Sequence, residues 1–395
     1  MKITNEIKEF IRVHLHEDVR DLALKSALYP YIDIKFAVKQ ISGKQAVKTK
    51  IPLFYENENI IFPPKISLEQ TSSEATALYK ASLCKGKSFV DLTGGFGCDC
   101  YFISLNFENA VFVEQNQELC DIAISNFKAL KATNIKVECT DAVKYLENLK
   151  YKTDLIYLDP ARRNSSGGKT VSISDCTPDV NDLSEILVSK SNNVLLKLSP
   201  LIDISLAVKE LKFVNEVHVV SVENECKEVL FMLSSNHEND VRITSINIKK
   251  DKINQAFTFN YSEESRREVT YASAISTYIY EPNSSILKAG AFKSISTHFD
   301  LDKLDINTHL YSSDNLLADF PGRIFKVEKI FSFSKAGISG LKSITSKANI
   351  TVRNFPLTVQ EIRNKTGIKE GGNHYIFASK FRNDNLMILC KKVST

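Results

Sequence analysis

The chain has 395 residues, of which 43% are hydrophobic and 25% are charged, and its formal net charge is +4. This length predicts two or three domains with separate cores, and the composition is that of an ordinary globular protein. No apolar stretch approaches the roughly 18–20 residues of a membrane span, and the charged N-terminus lacks a signal-peptide core, which argues against a membrane protein and favours a cytoplasmic one.

The N-terminal residues are predicted to be helical. One helical face is shared by Ile7, Phe10, Ile11, His14 and Leu15, and Leu22, Leu24 and Leu28 follow. A further helix is expected from Leu68, where Thr71-Ser-Ser-Glu74 has the spacing of a capping box.

The middle of the chain alternates short apolar strands with helical segments. Strands are expected at 88–91, 110–114, 135–139, 154–159 and 193–198, and helices at 117–130 and 179–190. Such alternation is typical of an α/β fold with a parallel sheet covered on both faces. Residues 216–223 and 228–233 then read as an antiparallel hairpin at the edge of that sheet.

The last part of the chain predicts smaller α+β structure with a basic end. Alternating residues indicate antiparallel strands at 241–249 and 254–261. From Pro321 to Thr395 there are 14 Lys and Arg against four Asp and Glu, a net of +10, so the first 320 residues carry −6. This asymmetry favours a nucleic-acid partner, and a solvated basic surface is the alternative.

The cysteines and histidines favour no metal site. The eight cysteines show no Cys-x-x-Cys spacing, and several fall inside apparent strands or helices. The seven histidines are equally dispersed. Scattered thiols in a reducing cytosol are therefore preferred to disulfides or a zinc site.

A glycine-rich turn after the first strand of the sheet is the strongest single motif. Asp91 ends the strand, and Gly94, Gly95 and Gly97 follow before a helical segment. Glycines there permit positive φ and a close approach of the backbone to a ligand. Because a carboxylate repels pyrophosphate and attracts a cationic amino acid, Asp91 favours S-adenosylmethionine over a dinucleotide. A purely structural turn is the alternative.

Residues 68–235 resemble the class I S-adenosylmethionine-dependent methyltransferases, whose Rossmann-like sheet of parallel strands includes an antiparallel hairpin strand. The whole chain resembles the bacterial methyltransferases that carry a ferredoxin-like domain and a C-terminal THUMP-like domain. The motifs that carry this resemblance begin at Leu68, Asp91, Asp159, Lys197, Glu281, Asp319 and Arg353. The implied domains are a mostly helical region 1–67, a methyltransferase domain 68–235, a ferredoxin-like α+β domain 236–320 and a basic THUMP-like domain 321–395.

The resemblance implies a set of cofactor-binding residues at the carboxyl ends of the strands. Asp91 and the glycine turn would hold the methionine part, and Glu114, 23 residues further on, would accept hydrogen bonds from the ribose hydroxyls. Asp141 and Ala142 fall where the adenine edge is usually read. Gln70 and Ser72 line the cofactor mouth or cap a helix. The full candidate set is Gln70, Ser72, Asp91, Thr93, Gly94, Gly95, Gly97, Asp99, Glu114, Asp141, Ala142, Asp159 and Pro160.

The resemblance also places the methyl acceptor beside Asp159-Pro-Ala-Arg162. Asp159 and Arg162 are the candidate catalytic residues, because a carboxylate there can orient or deprotonate a nucleophile. Arg162 stands where amine methyltransferases carry an aromatic residue, which puts that chemistry in doubt. Ala161 and Ser199 stand where a cysteine nucleophile would be expected, so covalent catalysis is unsupported. Direct transfer to a ring nitrogen, an oxygen or another nucleophile remains open.

Basic residues supply the candidate substrate contacts. Arg163, Lys169 and Arg353 are the candidates for binding phosphate, and an ordinary flexible loop is the alternative for Lys169. We therefore expect an S-adenosylmethionine-dependent RNA methyltransferase that acts without a covalent intermediate, a metal or a membrane. The alternatives are a methyltransferase acting on protein or a small molecule, and a non-catalytic RNA-binding protein on a methyltransferase scaffold. The oligomeric state stays open.

Overall fold

The computed structural model describes residues 3–162, 173, 176–236, 240–250 and 253–394. The chain forms two compact units, the first of residues 1–217 and 227–239 and the second of residues 218–226 and 240–395. Among the described residues, no helix has the length and apolar character needed to span a bilayer. All eight cysteines are free thiols.

The first unit begins with short helices, as the sequence predicts. The structure gives α1 Asn5–His14, α2 Val19–Leu24, a 3₁₀ turn Ser26–Leu28, α3 Ile34–Val47, α4 Pro52–Glu56, α5 Lys65–Gln70 and α6 Glu74–Ser82. Phe10, Ile11 and Leu22 pack in a buried cluster with residues of α3. Leu24 and Leu28, in contrast, are 84% and 70% exposed.

The capping box predicted at Thr71–Glu74 is not formed. The helix expected from Leu68 is broken into α5 and α6, and Ser73 caps α6 by accepting from the backbone N–H of Thr76 at 3.2 Å. The Glu74 carboxylate accepts instead from the backbone N–H of Leu53 at 2.9 Å. A tertiary hydrogen bond has replaced the local one.

The central sheet of the first unit is mostly parallel. Its elements are β1 Gly86–Asp91, α7 Cys98–Ser104, β2 Phe107–Glu114, α8 Gln117–Ala129, β3 Ile135–Cys139, α9 Ala142–Asn148, β4 Thr153–Leu158, β5 Ala161–Arg162, β6 Cys176–Thr177, α10 Val180–Lys190, β7 Ser191–Leu198, α11 Ile204–Glu210, β8 Val214–Val222 and β9 Glu225–Leu233. Seven strands of this sheet run in the order β8-β9-β7-β4-β1-β2-β3, and β5 and β6 form a separate two-stranded sheet. β9 is antiparallel to β7, whereas β3, β2, β1, β4 and β7 pair in parallel. The predicted mostly parallel sheet with an antiparallel hairpin strand is confirmed.

The register of these strands brings the ends that carry the motifs together. Asp91 in β1 pairs with Tyr157 in β4, and Leu158 pairs with Leu196 in β7. Parallel strands end at the same edge of a sheet, so the residues just beyond these pairs are neighbours. Buried apolar residues such as Phe89 and Ile156 fill the strands behind them and make this edge rigid.

The second unit is built mainly on antiparallel pairing, with one parallel pair between residues 349–353 and 375–379. Its elements are β10 Arg242–Ile248, β11 Gln255–Asn260, α12 Tyr261–Arg266, β12 Tyr278–Pro282, α13 Ser284–Ala289, α14 Phe292–His298, β13 Asp302–Asp305, β14 Thr308–Ser313, β15 Gly322–Ser332, α15 Lys335–Ile344, β16 Asn349–Arg353, α16 Val359–Thr366, β17 His374–Phe381 and β18 Asp384–Lys392. β10 and β11 form the predicted antiparallel pair. A seven-stranded sheet follows in the order β13-β14-β12-β15-β18-β17-β16. It packs two clusters, one around Phe325 and Phe377 and one around Leu341 and Ile376.

Candidate cofactor and acceptor site

The turn after β1 holds a buried, half-satisfied carboxylate. Asp91 is 1% exposed, and its Oδ1 accepts from the backbone N–H of Thr93 at 2.9 Å. Its Oδ2 is also buried and has no hydrogen-bond partner among the described residues. Since a buried charge without a partner is costly, this oxygen is suited to a ligand that brings a cation or a donor.

The electrostatic surroundings of Asp91 point the same way. Burial raises the pKa of this carboxyl well above its usual range, the Thr93 N–H partly offsets this, and the carboxylates of Asp99, Asp159 and Glu114 raise the pKa further. A bound ammonium would lower that pKa again by favouring the charged form. The residues present therefore fit the amino-acid end of S-adenosylmethionine.

The glycines of the turn are required for two different reasons. A Cβ on Gly94 would lie 2.3 Å from the ring of Phe112, so Gly94 is needed for packing against β2. Gly95 has φ of 56°, and the nearest atom to its Cβ position would be 3.8 Å away. Gly95 is therefore needed for its backbone conformation.

This difference predicts two different costs of substitution. We expect Gly94→Ala to destabilise the protein by about 3 kcal/mol, the upper end of the usual cost of overpacking, because Phe112 is fully buried and cannot give way easily. Gly95→Ala should cost about 1–2 kcal/mol, the penalty of a left-handed alanine, without any packing defect. Urea unfolding of both variants would check this order, and an equal or reversed order would contradict the packing role.

The Glu114 carboxylate is held in place by two backbone N–H groups, one of which belongs to the glycine turn. Its Oε2 accepts from the Gly95 N–H and its Oε1 from the Asn116 N–H, each at 2.9 Å. Each carboxylate oxygen keeps a further lone pair for another donor. A carboxylate held this way can still accept from two hydroxyl groups, as the ribose role requires.

Asp141 begins a helix at the end of β3. Its Oδ1 accepts from the backbone N–H groups of Val143 and Lys144, both at 3.0 Å. The neighbouring Thr140 N–H donates to the carbonyl oxygen of Glu114 at 3.0 Å. The structure thus ties the expected adenine position, Asp141 and Ala142, to the expected ribose position.

Asp159 and Lys197 form an ion pair at the ends of β4 and β7. The Lys197 Nζ lies 2.5 Å from Asp159 Oδ2, with the side chains 13% and 35% exposed. The backbone N–H of Asp159 donates to Thr93 Oγ1 at 2.7 Å, which links this pair to the glycine turn. Burial lowers the pKa of Lys197, but the carboxylates of Asp159, Asp99 and Glu228 outweigh this and raise it above its ordinary value. Lys197 is therefore a fixed cation at neutral pH.

A second lysine of the first unit, Lys80, is fully buried. Lys80 in α6 has no exposed side-chain surface, and its Nζ lies 2.7 and 2.8 Å from the two oxygens of Glu228. The same Nζ donates to Ser72 Oγ at 3.1 Å and lies 3.2 Å from Asp99 Oδ1. Asp99 Oδ2 accepts from Ser72 Oγ and from the hydroxyl of Tyr157, both at 2.7 Å. We call Lys80, Asp99, Asp159, Lys197 and Glu228 the charge cluster.

The structure groups the predicted cofactor residues unevenly. Asp91 and Asp159 are each hydrogen-bonded to Thr93, and Glu114 is hydrogen-bonded to Gly95. Asp99 belongs to the charge cluster, and Ser72 is hydrogen-bonded to Asp99 and Lys80 of that cluster, whereas the cap of α6 is Ser73. Gln70 is the exposed last residue of α5, Gly97 precedes α7 with φ of 84°, and Pro160 is buried next to Asp159.

Of the basic residues predicted to contact substrate, only Arg353 has a described side chain. Arg163 and Lys169 lie outside the described residues, and only the backbone of Arg162 is described, where it pairs with Cys176. In the second unit, Arg353 lies 2.8 Å from Glu281, a buried carboxylate that also binds Arg323. The charge of Arg353 is therefore partly balanced within the protein.

The sequence reasoning assigned no role to Lys80, Lys197, Tyr157 or Glu228. Each is a polar residue inside an apolar helix or strand, for example Lys197 within Val194–Leu198. A charge at a position that the pattern buries was the available signal, because such charges are retained only when paired. Their partners could not be read from the chain.

The fold and this site define the class of protein, a Rossmann-like methyltransferase fold with its ligand edge at the carboxyl ends of the strands. Family models match a ferredoxin-like domain at residues 278–321 and a THUMP domain-like region at residues 322–392. A crystal structure described as "putative methyltransferase from Porphyromonas gingivalis W83" is 30% identical, covers 98% of both chains and has a TM-score of 0.89. The chain belongs to the family of that protein.

Other matches are more distant. A structure described as a "putative RNA methyltransferase" from Pyrococcus horikoshii is 17% identical and covers 44% of this chain and 90% of its own, with a TM-score of 0.31. TrmK of M. capricolum, solved with S-adenosylhomocysteine, is 12% identical and covers 45% and 71%, with a TM-score of 0.30. Neither likeness carries an argument about function. No curated protein matches the chain.

Proposed function

We propose that this protein is an S-adenosylmethionine-dependent methyltransferase that acts on RNA by direct transfer. The assignment of the cofactor is supported by the buried Asp91 Oδ2, which lacks a hydrogen-bond partner among the described residues. Asp91 would hold the ammonium of the cofactor, Glu114 its ribose hydroxyls, and Asp141 with Ala142 its adenine. When bound, the cofactor supplies a methyl group on a cationic sulfur.

The charge of the site supports this choice of cofactor. Asp91 and the charge cluster together contain two lysines and four carboxylates, a formal net charge of −2 when all six are ionised. A ligand with a net positive charge balances part of this excess, whereas a pyrophosphate adds to it. S-adenosylmethionine has a sulfonium and an ammonium against one carboxylate and is therefore the better match.

The proposal of an RNA substrate is supported by the charge and the domain match of the second unit. Residues 321–395 carry a net charge of +10, and residues 322–392 match a THUMP domain-like model. Many of the lysines there are exposed, among them Lys326, Lys329 and Lys335. Such a surface would contact phosphates and make RNA binding depend on salt.

Two measurements test the proposal. Calorimetry should show S-adenosylmethionine binding to the full chain. The absence of binding at millimolar cofactor would refute the proposal that the protein is an enzyme that uses this cofactor. Radioactive methyl groups should then enter RNA extracted from cells that lack the protein. If label enters protein or small molecules and never RNA, the substrate assignment is wrong while the methyltransferase stands. Binding of RNA without either cofactor binding or transfer would favour the non-catalytic scaffold.

A further inference from the structure

The acceptor end of the site contains a cation, Lys197. Lys197 and Asp159 stand side by side at the ends of adjacent strands, and Asp159 is the more exposed of the two. Since Asp159 N–H is held by Thr93, the pair lies directly beside the turn proposed to hold the cofactor. The acceptor atom must therefore approach a carboxylate and an ammonium together.

This arrangement distinguishes between acceptor elements. When an amine nitrogen accepts a methyl group, positive charge moves from sulfur to that nitrogen. A lone carboxylate would stabilise this charge, but a neighbouring ammonium opposes it. When a hydroxyl oxygen accepts the group, its proton leaves and negative charge develops on the oxygen, which an ammonium stabilises. The ion pair thus suits an oxygen and works against an amine.

We propose that the methyl acceptor is a hydroxyl group, and that in RNA it is the ribose 2′-hydroxyl. This rests on the proposed function, because internal RNA nucleotides offer the 2′-hydroxyl as their hydroxyl group. A lone pair of that oxygen forms the new O–C bond while the C–S bond breaks and leaves its electron pair on sulfur. The hydroxyl proton passes to the Asp159 carboxylate, and the Lys197 ammonium stabilises the oxygen as the proton leaves.

The buried half of the charge cluster lies within electrostatic range of the exposed half, because the Glu228 and Asp99 carboxylates raise the pKa of Lys197. Val229 in β9 pairs with Leu198 in β7, so Glu228 lies at the same sheet edge as Lys197. Lys80 binds both oxygens of Glu228 and fixes its orientation. Lys80 and Glu228 are positioning residues, since neither is exposed enough to meet a substrate.

The position of the methyl group tests the proposal independently of the activity itself. RNA labelled by the full chain is hydrolysed in alkali, which cleaves next to a free 2′-hydroxyl and spares a 2′-O-methylated link. We expect the label in alkali-resistant dinucleotides. Label confined to mononucleotides would place the methyl on a base and overturn this inference while leaving the RNA methyltransferase intact. Absence of label from RNA would refute the proposed function, and the inference with it.

Variants of Lys197 test the role of the cation. Lys197→Met should reduce 2′-O-methylation by about 10²–10³-fold, the usual effect of removing one group that stabilises a developing oxyanion. Its affinity for S-adenosylmethionine, measured by calorimetry, should stay within about threefold of the parent, because Lys197 is assigned to the acceptor. Lys197→Arg should restore part of the activity by restoring the charge.

The matched control is Lys212→Met, which removes an exposed ion pair with Glu185 in the same unit. It should leave both transfer and cofactor affinity unchanged. Equal activity of Lys197→Met and the parent would overturn the proposal. So would a loss of cofactor affinity as large as the loss of transfer, because Lys197 would then serve the cofactor. Thermal unfolding of each variant separates these results from misfolding.

Discussion

Asp91→Asn is expected to weaken S-adenosylmethionine binding by about 10- to 100-fold. The asparagine oxygen can still accept from the Thr93 N–H, but its amide nitrogen replaces the oxygen proposed to meet the cofactor ammonium. A hydrogen bond between charged partners contributes about 1.5–3 kcal/mol, and about 1.4 kcal/mol corresponds to a factor of ten in affinity. Calorimetry on the folded variant measures the change directly.

Asp154→Asn is the matched control for this substitution. Asp154 lies near the amino end of β4, where its Oδ2 accepts from the backbone N–H groups of Lys87 and Ser88 at 2.8 and 3.0 Å. It is a carboxylate in the same sheet, but it lies at the amino ends of the strands and Asp91 lies at their carboxyl ends. Its loss should therefore lower stability without changing cofactor affinity. Equal affinities for the parent and Asp91→Asn would remove the main support for the proposed cofactor.

The pH dependence of binding should follow Asp91. Because burial and neighbouring carboxylates raise its pKa in the folded apoprotein, a proton competes with the cofactor below that pKa. Affinity should therefore rise with pH through the raised pKa and then level off. The stability that Asp91 gives the apoprotein is present below its ordinary pKa and is lost as pH rises through the raised one. The cofactor-induced increase in Tm should accordingly grow with pH, and Asp91→Asn should remove this growth.

The sequence was sufficient for the parts of the fold that depend on local pattern. β3 was predicted with the bounds Ile135–Cys139 that the structure shows, and the antiparallel pair at β10 and β11 was also predicted. Short apolar runs between helices have few alternatives, so pattern alone identifies them. The strand-end residues Asp91, Glu114 and Asp159 could be picked out for the same reason.

The helix cap at Ser73 and the charge cluster depend on contacts between residues that are distant in the sequence. Thr71, Ser72 and Ser73 are all able to cap a helix. The structure uses Ser73, and Glu74 is bound to the backbone of Leu53, a contact between distant residues that no local rule contains. Lys80 and Glu228 lie 148 residues apart, so the pattern can indicate that each charge is buried but cannot identify its partner. The charge cluster, which bears most on the chemistry, was therefore the part that pattern could not predict.

Replacing Lys80 should have the largest effect on stability. Lys80→Met leaves the buried Glu228 without the cation that contacts both of its oxygens, and it removes one of the groups that hold Asp99 ionised. Burial already raises the pKa of Glu228, and Lys80 and Lys197 offset this shift. Breaking a buried pair from one side typically costs about 3–5 kcal/mol. We expect a loss of that size in the free energy of unfolding measured in urea.

A double variant and a surface control identify the cause of this loss. Lys80→Met combined with Glu228→Gln removes the uncompensated charge and should recover part of the stability, by about 0.5–3 kcal/mol of coupling. Lys39→Met breaks an ion pair with Glu118 whose side chains are 28% and 45% exposed, and should cost no more than about 1 kcal/mol. If Lys80→Met and Lys39→Met cost the same, Lys80 is not the cation that stabilises the buried carboxylates. If the double variant is no more stable than Lys80→Met, the loss comes from packing and not from charge.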